Sequence, residues 1–262
     1  MSITFDRFLH RDSLVHRLDP RVKVAVTVLF ILSNALLPDG AWLAFLLAWI
    51  MVLLAGYLAQ IGPSFVLKRA LVALPFALAA VTVLFTLPGR PLLMLHLGRW
   101  DMVLTDTGLR RFLSILVRSW LSVQMAILLT AVTPFPDLIH ALRHLRVPHP
   151  IVTIISFMYR YLFLLVDEAS RLLRAREARS AEPAVGRGGS IRWRAQVTGH
   201  MAGQLFLRSY ERSERVYQAM LSRGYRGHML TINPHTMRRP DWVTLAAAVS
   251  WLVALQLIGR LF

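Results

Sequence analysis

Residues 22–61 read VKVAVTVLFILSNALLPDGAWLAFLLAWIMVLLAGYLAQI, two apolar runs parted by Pro38-Asp39-Gly40. A helix that crosses a bilayer needs roughly 20 mainly apolar residues, and a Pro-Asp-Gly triplet marks a tight turn. The stretch therefore predicts a membrane hairpin, with spans over 22–37 and 41–61. Three more blocks share its character, at 70–87, 110–132 and 242–261, which gives five transmembrane helices and an all-α integral membrane protein.

Composition agrees. Of the 262 residues 56% are hydrophobic, and the mean hydropathy is +0.52, above what a soluble domain carries. The first twenty residues hold Asp6, Arg7, Arg11, Asp12, Arg17 and Asp19 and lack the apolar core of a signal peptide, so the first span is expected to be retained. There is no cysteine, which excludes thiolate metal sites, disulfides and cysteine nucleophiles.

The formal charge of +16 is almost entirely arginine, Lys23 and Lys68 being the only lysines. Arg7, Arg11, Arg17, Arg21 and Lys23 precede the first span, and Lys68-Arg69 the third. Residues 134–241 hold 17 arginines against 8 acidic residues. By the positive-inside rule all of these lie in the cytoplasm, and Pro88–Leu109 lies outside. The organisation expected is residues 1–133 for the N-terminal region and four spans, 134–241 for a cytoplasmic coupling module, and 242–262 for the last span of a multi-pass cell (inner) membrane protein.

Ile151–Val166, IVTIISFMYRYLFLLV, tempts a sixth span, but it has only 16 residues and contains Arg160. Counting it would put the later arginines on the opposite side from Arg143 and Arg146. Ile151, Ile154, Ile155, Met158, Leu162, Leu165, Val166 and Ala169 instead recur at three- and four-residue steps, the stripe of an amphipathic helix running to Ser180. Pro183 and Gly186–Ser190 break it. A second amphipathic helix follows over 191–223, and a shorter one, Asp137–Arg146, is bracketed by prolines. Three such faces need a lipid surface or a protein partner.

No catalytic constellation is present: there is no Walker loop, nucleophile elbow or His-Glu-x-x-His. His140 and His144 have metal-ligand spacing, yet Arg143 and Arg146 flank them and no carboxylate or thiolate completes a site. Arg118 and Gln124 fall inside the fourth span. A mid-bilayer arginine costs roughly 2.5–3.5 kcal/mol on insertion scales, so packing against another helix is the expected role.

Two arginine triplets stand out. Ala178-Arg179-Ser180 closes one long helix and Ser222-Arg223-Gly224 the next. Small neighbours let another backbone come close, and a guanidinium then forks onto a carboxylate.

Here the chain resembles, over nearly its whole length, the transmembrane (T) component of energy-coupling-factor transporters, cobalt-type (CbiQ-like) branch. The residues that carry this are Val15–Lys23, Thr133–Asp137, Met158–Tyr161 and Ala219–Gly227, the last being the most specific. The resemblance implies a non-catalytic scaffold without cofactor, whose Arg179 and Arg223 each dock into one of two ATP-binding cassette ATPase subunits. It implies that the helices cradle a separate, metal-binding substrate subunit, and that this chain holds no metal itself. The family triplets are Ala-Arg-Gly-like; Ser180 stands here for glycine and Ser222 for alanine. Competing readings are the same role for nickel or a vitamin, a membrane enzyme using the histidine pair on lipid, and a basic anchor for anionic lipid or nucleic acid. Against the anchor, Glu211 and Glu214 interrupt the basic face, so nucleic acid is not an expected partner.

The topology makes a first prediction. Reporter fusions at Gly189 and Phe262 should report opposite sides, cytoplasm at Gly189 and exterior at Phe262. A periplasmic signal at Gly189 would contradict it.

Overall fold

The structure, a computed structural model, describes residues 8–9, 11–73, 75, 78, 80–97, 100–145, 147–179, 191–227 and 237–261. Its elements are α1 (Leu14–Arg17), α2 (Pro20–Ala35), α3 (Trp42–Leu58), α4 (Pro63–Ala70) with a 3-10 turn at Leu71–Ala73, α5 (Val83–Thr86), β1 (Pro91–Leu97), β2 (Trp100–Thr105), α6 (Asp106–Val132), α7 (Phe135–His144), α8 (His149–Arg179), α9 (Ile191–Ser222) and α10 (Arg239–Leu261). The expected helical membrane fold is what is found, with one antiparallel hairpin, β1–β2, added between the third and fourth expected spans. The described residues group into two units, one drawn from Met1–Leu145 with His235–Phe262 and the other from Arg146–Pro234.

In the first unit α2, α3, α6 and α10 surround a core that includes Phe30, Val52, Leu121 and Leu255. Ala44 and Ala48 are fully buried and let α3 come close, while Leu43, Leu46, Ile50 and Leu53 of the same helix are exposed. A helix that is apolar on its outer face as well suits a lipid surround.

The two ends of this bundle are fixed by polar contacts of different kinds. At one end Asp19 caps α2, its Oδ1 accepting from Arg21 N at 2.8 Å, with Pro20 at the first helical position. Asp241, in the first turn of α10, accepts from Arg238 N through Oδ2 (2.8 Å) and from Asp19 N through Oδ1 (2.9 Å). One buried carboxylate thus serves the N-termini of two helices 222 residues apart in sequence, where two helix dipoles both favour negative charge. Lys23, also buried, donates from Nζ to His16 O at 2.9 Å, and the charges of Asp137, Asp19 and Asp241 act on it. His16 donates from Nε2 to Leu9 O (3.0 Å), which leaves its Nδ1 to accept from Ser13 Oγ (2.6 Å). Its pKa is lowered, first by burial and then by the charges of Lys23 and Arg11, against the opposing pull of the Leu9 hydrogen bond and Asp12.

At the other end the Pro38-Asp39-Gly40 turn is clamped to α6. Arg118 donates from Nη2 to Asp39 Oδ1 at 2.8 Å and to Leu37 O, and Gly40 N donates to Ser114 Oγ at 3.0 Å. Asn34, buried on α2, donates to Arg118 O (2.9 Å) and Ser122 Oγ (3.0 Å), and Gln256 of α10 donates to Ser33 Oγ (2.9 Å). A Cβ at Gly259 would lie 2.6 Å from Leu37 Cδ2, so α10 meets this turn at glycine distance. Arg118 is therefore packing glue, as its intramembrane cost suggested, and its partner is the hairpin turn. Gln124 is buried as well and borders a cavity of about 270 Å³ with Val52, Gly56 and Val66.

These contacts set the sense of the helices. α2 and α10 meet at Asp19–Asp241 and again at Ser33–Gln256, so they run parallel, and α6, bonded to Leu9 through Ala131 O and to Asn34 through Arg118 O, runs against them. Asp137 in α7 acts on Lys23, and a ten-residue helix spans about 15 Å, half of the hydrocarbon layer. The chain thus leaves the first unit after α7 and rejoins it at α10 from the same end.

Two sequence expectations change. The third span, 70–87, is not one α-helix: a 3-10 turn follows α4 at Leu71–Ala73, the described residues 75, 78 and 80 are helical, and a turn at 81–82 precedes α5. Residues 74, 76, 77 and 79 lie outside the described residues. The sequence groups the helix over 137–146 with the two longer ones, whereas α7 packs on α2 in the first unit. Arg146 lies outside the described residues.

Three described helices are long and apolar enough to cross a membrane: Asp106–Val132, His149–Ala178 and Arg239–Leu261, with Trp42–Leu58 a shorter apolar one. The rejected run 151–166 sits inside the second of these. Length and composition permit a crossing there, yet the chain must return to the same end of the first unit, so crossings between α7 and α10 come in pairs. α9 does not qualify among the described helices as the return.

Asp241→Ala removes the shared cap and leaves Asp19 N and Arg238 N without their acceptor. The thermal unfolding midpoint of the detergent-solubilised chain should fall, by a loss of about 1–2 kcal/mol; Asp241→Asn, which keeps an acceptor oxygen, should fall less.

Candidate functional site

The second unit is a helix pair, α8 and α9. Glu168, nearly buried, accepts from Arg171 Nη2 at 2.7 Å on its own helix and from Arg208 Nη1 at 2.9 Å on α9. Exposed ion pairs stabilise little, so the value of this one is registration. A groove of about 540 Å³ opens on one side of it, walled by Ile154, Phe157, Met158 and Tyr161 from α8 and by Val216, Tyr217, Met220 and Tyr225 from α9 and its end. The groove uses α8 residues before Glu168 and α9 residues after Arg208, so the helices run antiparallel. The ends of α8 and α9 that carry the triplets are accordingly opposite ends of the pair. Eleven residues from Glu168 to Arg179 and fifteen from Arg208 to Arg223, at 1.5 Å each, put them at most about 40 Å apart.

The second triplet is described in full. Ser222 is the last residue of α9, with Oγ donating to Ala219 O at 3.0 Å. Gly224 has φ +82°, its N–H donating to Leu221 O (2.9 Å), and Tyr225 N donates to Met220 O (3.0 Å). These two bonds make a Schellman cap, with Arg223 at the C-cap and Gly224 in the left-handed position. Tyr225 and Met220 also share the groove wall, the apolar contact that usually closes this motif. Ser222, Arg223 and Gly224 are all exposed, and a Cβ at Gly224 would meet nothing within 4 Å. The glycine is thus required first by backbone sign, because a Cβ raises the energy of that conformation. Close approach of another chain is a second use of the same smallness. The first triplet is described in part: Ala178 is exposed, Arg179 is the final residue of α8, and Ser180, like the expected link over Pro183–Ser190, lies outside the described residues.

The histidine pair lies elsewhere. The rings of His140 and His144 of α7 lie with centroids 4.9 Å apart and planes tilted by 40°, and His144 Nδ1 sits 3.1 Å from His140 O. Among the described residues no group of three or more His, Cys, Asp or Glu side chains is arranged to hold a metal ion.

Residues 11–232, from the segment before α1 through both triplets, match the CbiQ family model, described as cobalt transport protein. The chain belongs to the CbiQ family. Among its relatives, an energy-coupling factor transporter transmembrane protein EcfT of Limosilactobacillus fermentum is 31% identical over 265 residues, covering 94% of each chain. Another EcfT, of Lactococcus lactis, is 28% identical over 84% of each. An uncharacterised protein of Methanocaldococcus jannaschii is 26% identical over 99% of this chain and 87% of its own. This CbiQ-family chain is a membrane transport component, in keeping with its apolar helices.

Sequence reading singled out the triplets but missed the Schellman geometry, whose one visible sign is a glycine just past a periodic stripe. It also missed Glu168, which reads as one more charge on a charged face until the antiparallel partner is known.

Gly224→Ala should cost about 1–2 kcal/mol locally and speed hydrogen exchange at the amides of Gly224 and Tyr225. Gly224→Asn, which tolerates the left-handed region, should do less harm.

Proposed function

We propose that this chain is the transmembrane coupling subunit of an energy-coupling-factor importer for cobalt ions. It carries motion from two ATP-binding cassette ATPase subunits to a separate, metal-binding membrane subunit and does no chemistry of its own. The observation that carries the reading is the pair of arginine triplets at opposite ends of one antiparallel helix pair, with Arg223 held exposed on a rigid cap. Two separated cations on one bar suit two copies of a partner, each offering an acidic groove, better than a single patch would.

In this reading α8, α9 and the Asp19–Asp241 end of the bundle face the cytoplasm. The basic residues gathered there, among them Arg17, Arg21, Lys23, Arg238 and Arg239, support that orientation. The family description supports cobalt as cargo. The EcfT relatives, whose names carry no metal, favour the same role with nickel or a vitamin as the second reading. Metal and vitamin uptake assays on the assembled complex separate the two.

Arg179→Glu or Arg223→Glu should each weaken ATPase attachment and uptake, since removing one partner of a desolvated charge pair typically costs about 2–5 kcal/mol. The double change should abolish both while the chain still inserts. Arg→Lys should be partly damaging because lysine lacks the planar fork, and Arg187→Glu should be tolerated. Co-purification of the ATPases measures attachment; full recovery of ATPase with the double variant would remove the reading.

A further inference from the structure

The first unit holds a cavity of about 310 Å³ that no contact described so far uses. It lies among α2, α3, α6 and α10. Val22 and Val26, Ala55 and Ala59, Met125 and Leu128 line its depth, and Thr244, Ala247, Ala248 and Trp251 of α10 its outer wall. Of the three polar residues in its lining, Lys23, Thr27 and Thr244, two are engaged elsewhere: Lys23 Nζ donates to His16 O (2.9 Å), and Thr244 Oγ1 donates to Pro240 O (2.9 Å). The one hydroxyl left, on Thr27, is fewer than the two to four partners a buried water needs, so the cavity stays dry.

The cavity is also open sideways. α3 and α10 touch at the hairpin-turn end, where a Cβ on Gly259 would lie 3.4 Å from Ala44 Cβ. Toward the Asp19–Asp241 end the cavity comes between them. Its rim there is Leu54 and Leu58 on α3 and Ala247 and Trp251 on α10, all four exposed. These are outward faces of apolar helices, so what stands at the opening is hydrocarbon, and a chain end entering recovers dispersion contacts an empty space forfeits. The same end of the bundle carries Arg17 and Arg239, both exposed, and Trp242, a residue suited to the headgroup level. An acyl chain in the cavity thus places its headgroup among cations.

We propose that this cavity binds one acyl chain of an anionic phospholipid drawn from the leaflet at the Asp19–Asp241 end. The site is independent of the arginine triplets and of the transported substrate.

The test uses the full chain purified in mild detergent, incubated with equal amounts of phosphatidylglycerol and phosphatidylcholine of identical chains, and read by native mass spectrometry. One phosphatidylglycerol should be retained per chain, at least tenfold over phosphatidylcholine. Ala55→Phe and Ala248→Phe, which fill the cavity, should each cut retention at least tenfold, whereas Leu46→Phe on the exposed face of α3 should not. Ala55→Leu and Ala248→Leu, checked by thermal unfolding, give the same reading should the larger side chains impair folding. No retained lipid in the unmodified chain, equal retention of the two lipids, or retention unchanged in folded cavity-filling variants would each overturn the proposal. So would a partner helix cross-linking to Trp251 in the assembled transporter with the lipid absent.

Discussion

Asp241 decides how this membrane unit is put together. Its two oxygens accept from the backbone at the starts of α2 and α10, groups that a helix leaves without partners inside itself. In a membrane protein such groups must be met within the protein or at its wet edge, because hydrocarbon offers them nothing. Meeting two of them with one side chain forces the helices to begin side by side, and so to run parallel. α6 packs on α2 and points the other way, and the chain leaves and rejoins the bundle at their common end.

That common end constrains the second unit without reference to its own packing. A segment that starts and finishes on one side crosses the bilayer an even number of times, whatever the hydropathy of its greasy half. The pairing of crossings is why α8 can be long and apolar and still serve with α9 as an antiparallel pair joined through Glu168 and Arg208. An antiparallel pair puts its two C-termini far apart, and these are the ends that carry Arg179 and Arg223. A parallel pair of the same sequences would have put both arginines in one place.

The interior of the first unit is tight where glycine or alanine allows it and open where it does not. Gly259 and Ala44 bring α10 onto the hairpin turn, and Arg118 ties that turn to α6. At the other end the bundle is held by backbone-directed hydrogen bonds at its rim, and the apolar side chains below them leave the cavity between α3 and α10. A soluble protein would collapse such a space against water; in lipid the driving force is packing alone, and the surrounding chains are themselves able to fill it.

The amino-acid sequence by itself determined the solvent and the elements. Long apolar blocks parted by Pro38-Asp39-Gly40 require a bilayer, and three- and four-residue periodicity makes α8 and α9 amphipathic. Arg118 was legible as packing glue because a charge inside an apolar span calls for a partner, and the triplets because two like patterns close two helices. What only the tertiary structure decided are the facts that depend on residues far apart. Asp19 and Asp241 are 222 positions from each other, and nothing local marks either as the other's partner. The break in the expected third span depends on α5 docking on α6, where a Cβ at Gly108 would lie 2.7 Å from Leu84 O. The placement of α7 on α2, the sense of α8 against α9 and the cavity beside Trp251 are likewise settled by packing. Periodicity gives each helix a face, but only the neighbours that cover it fix which way that face points.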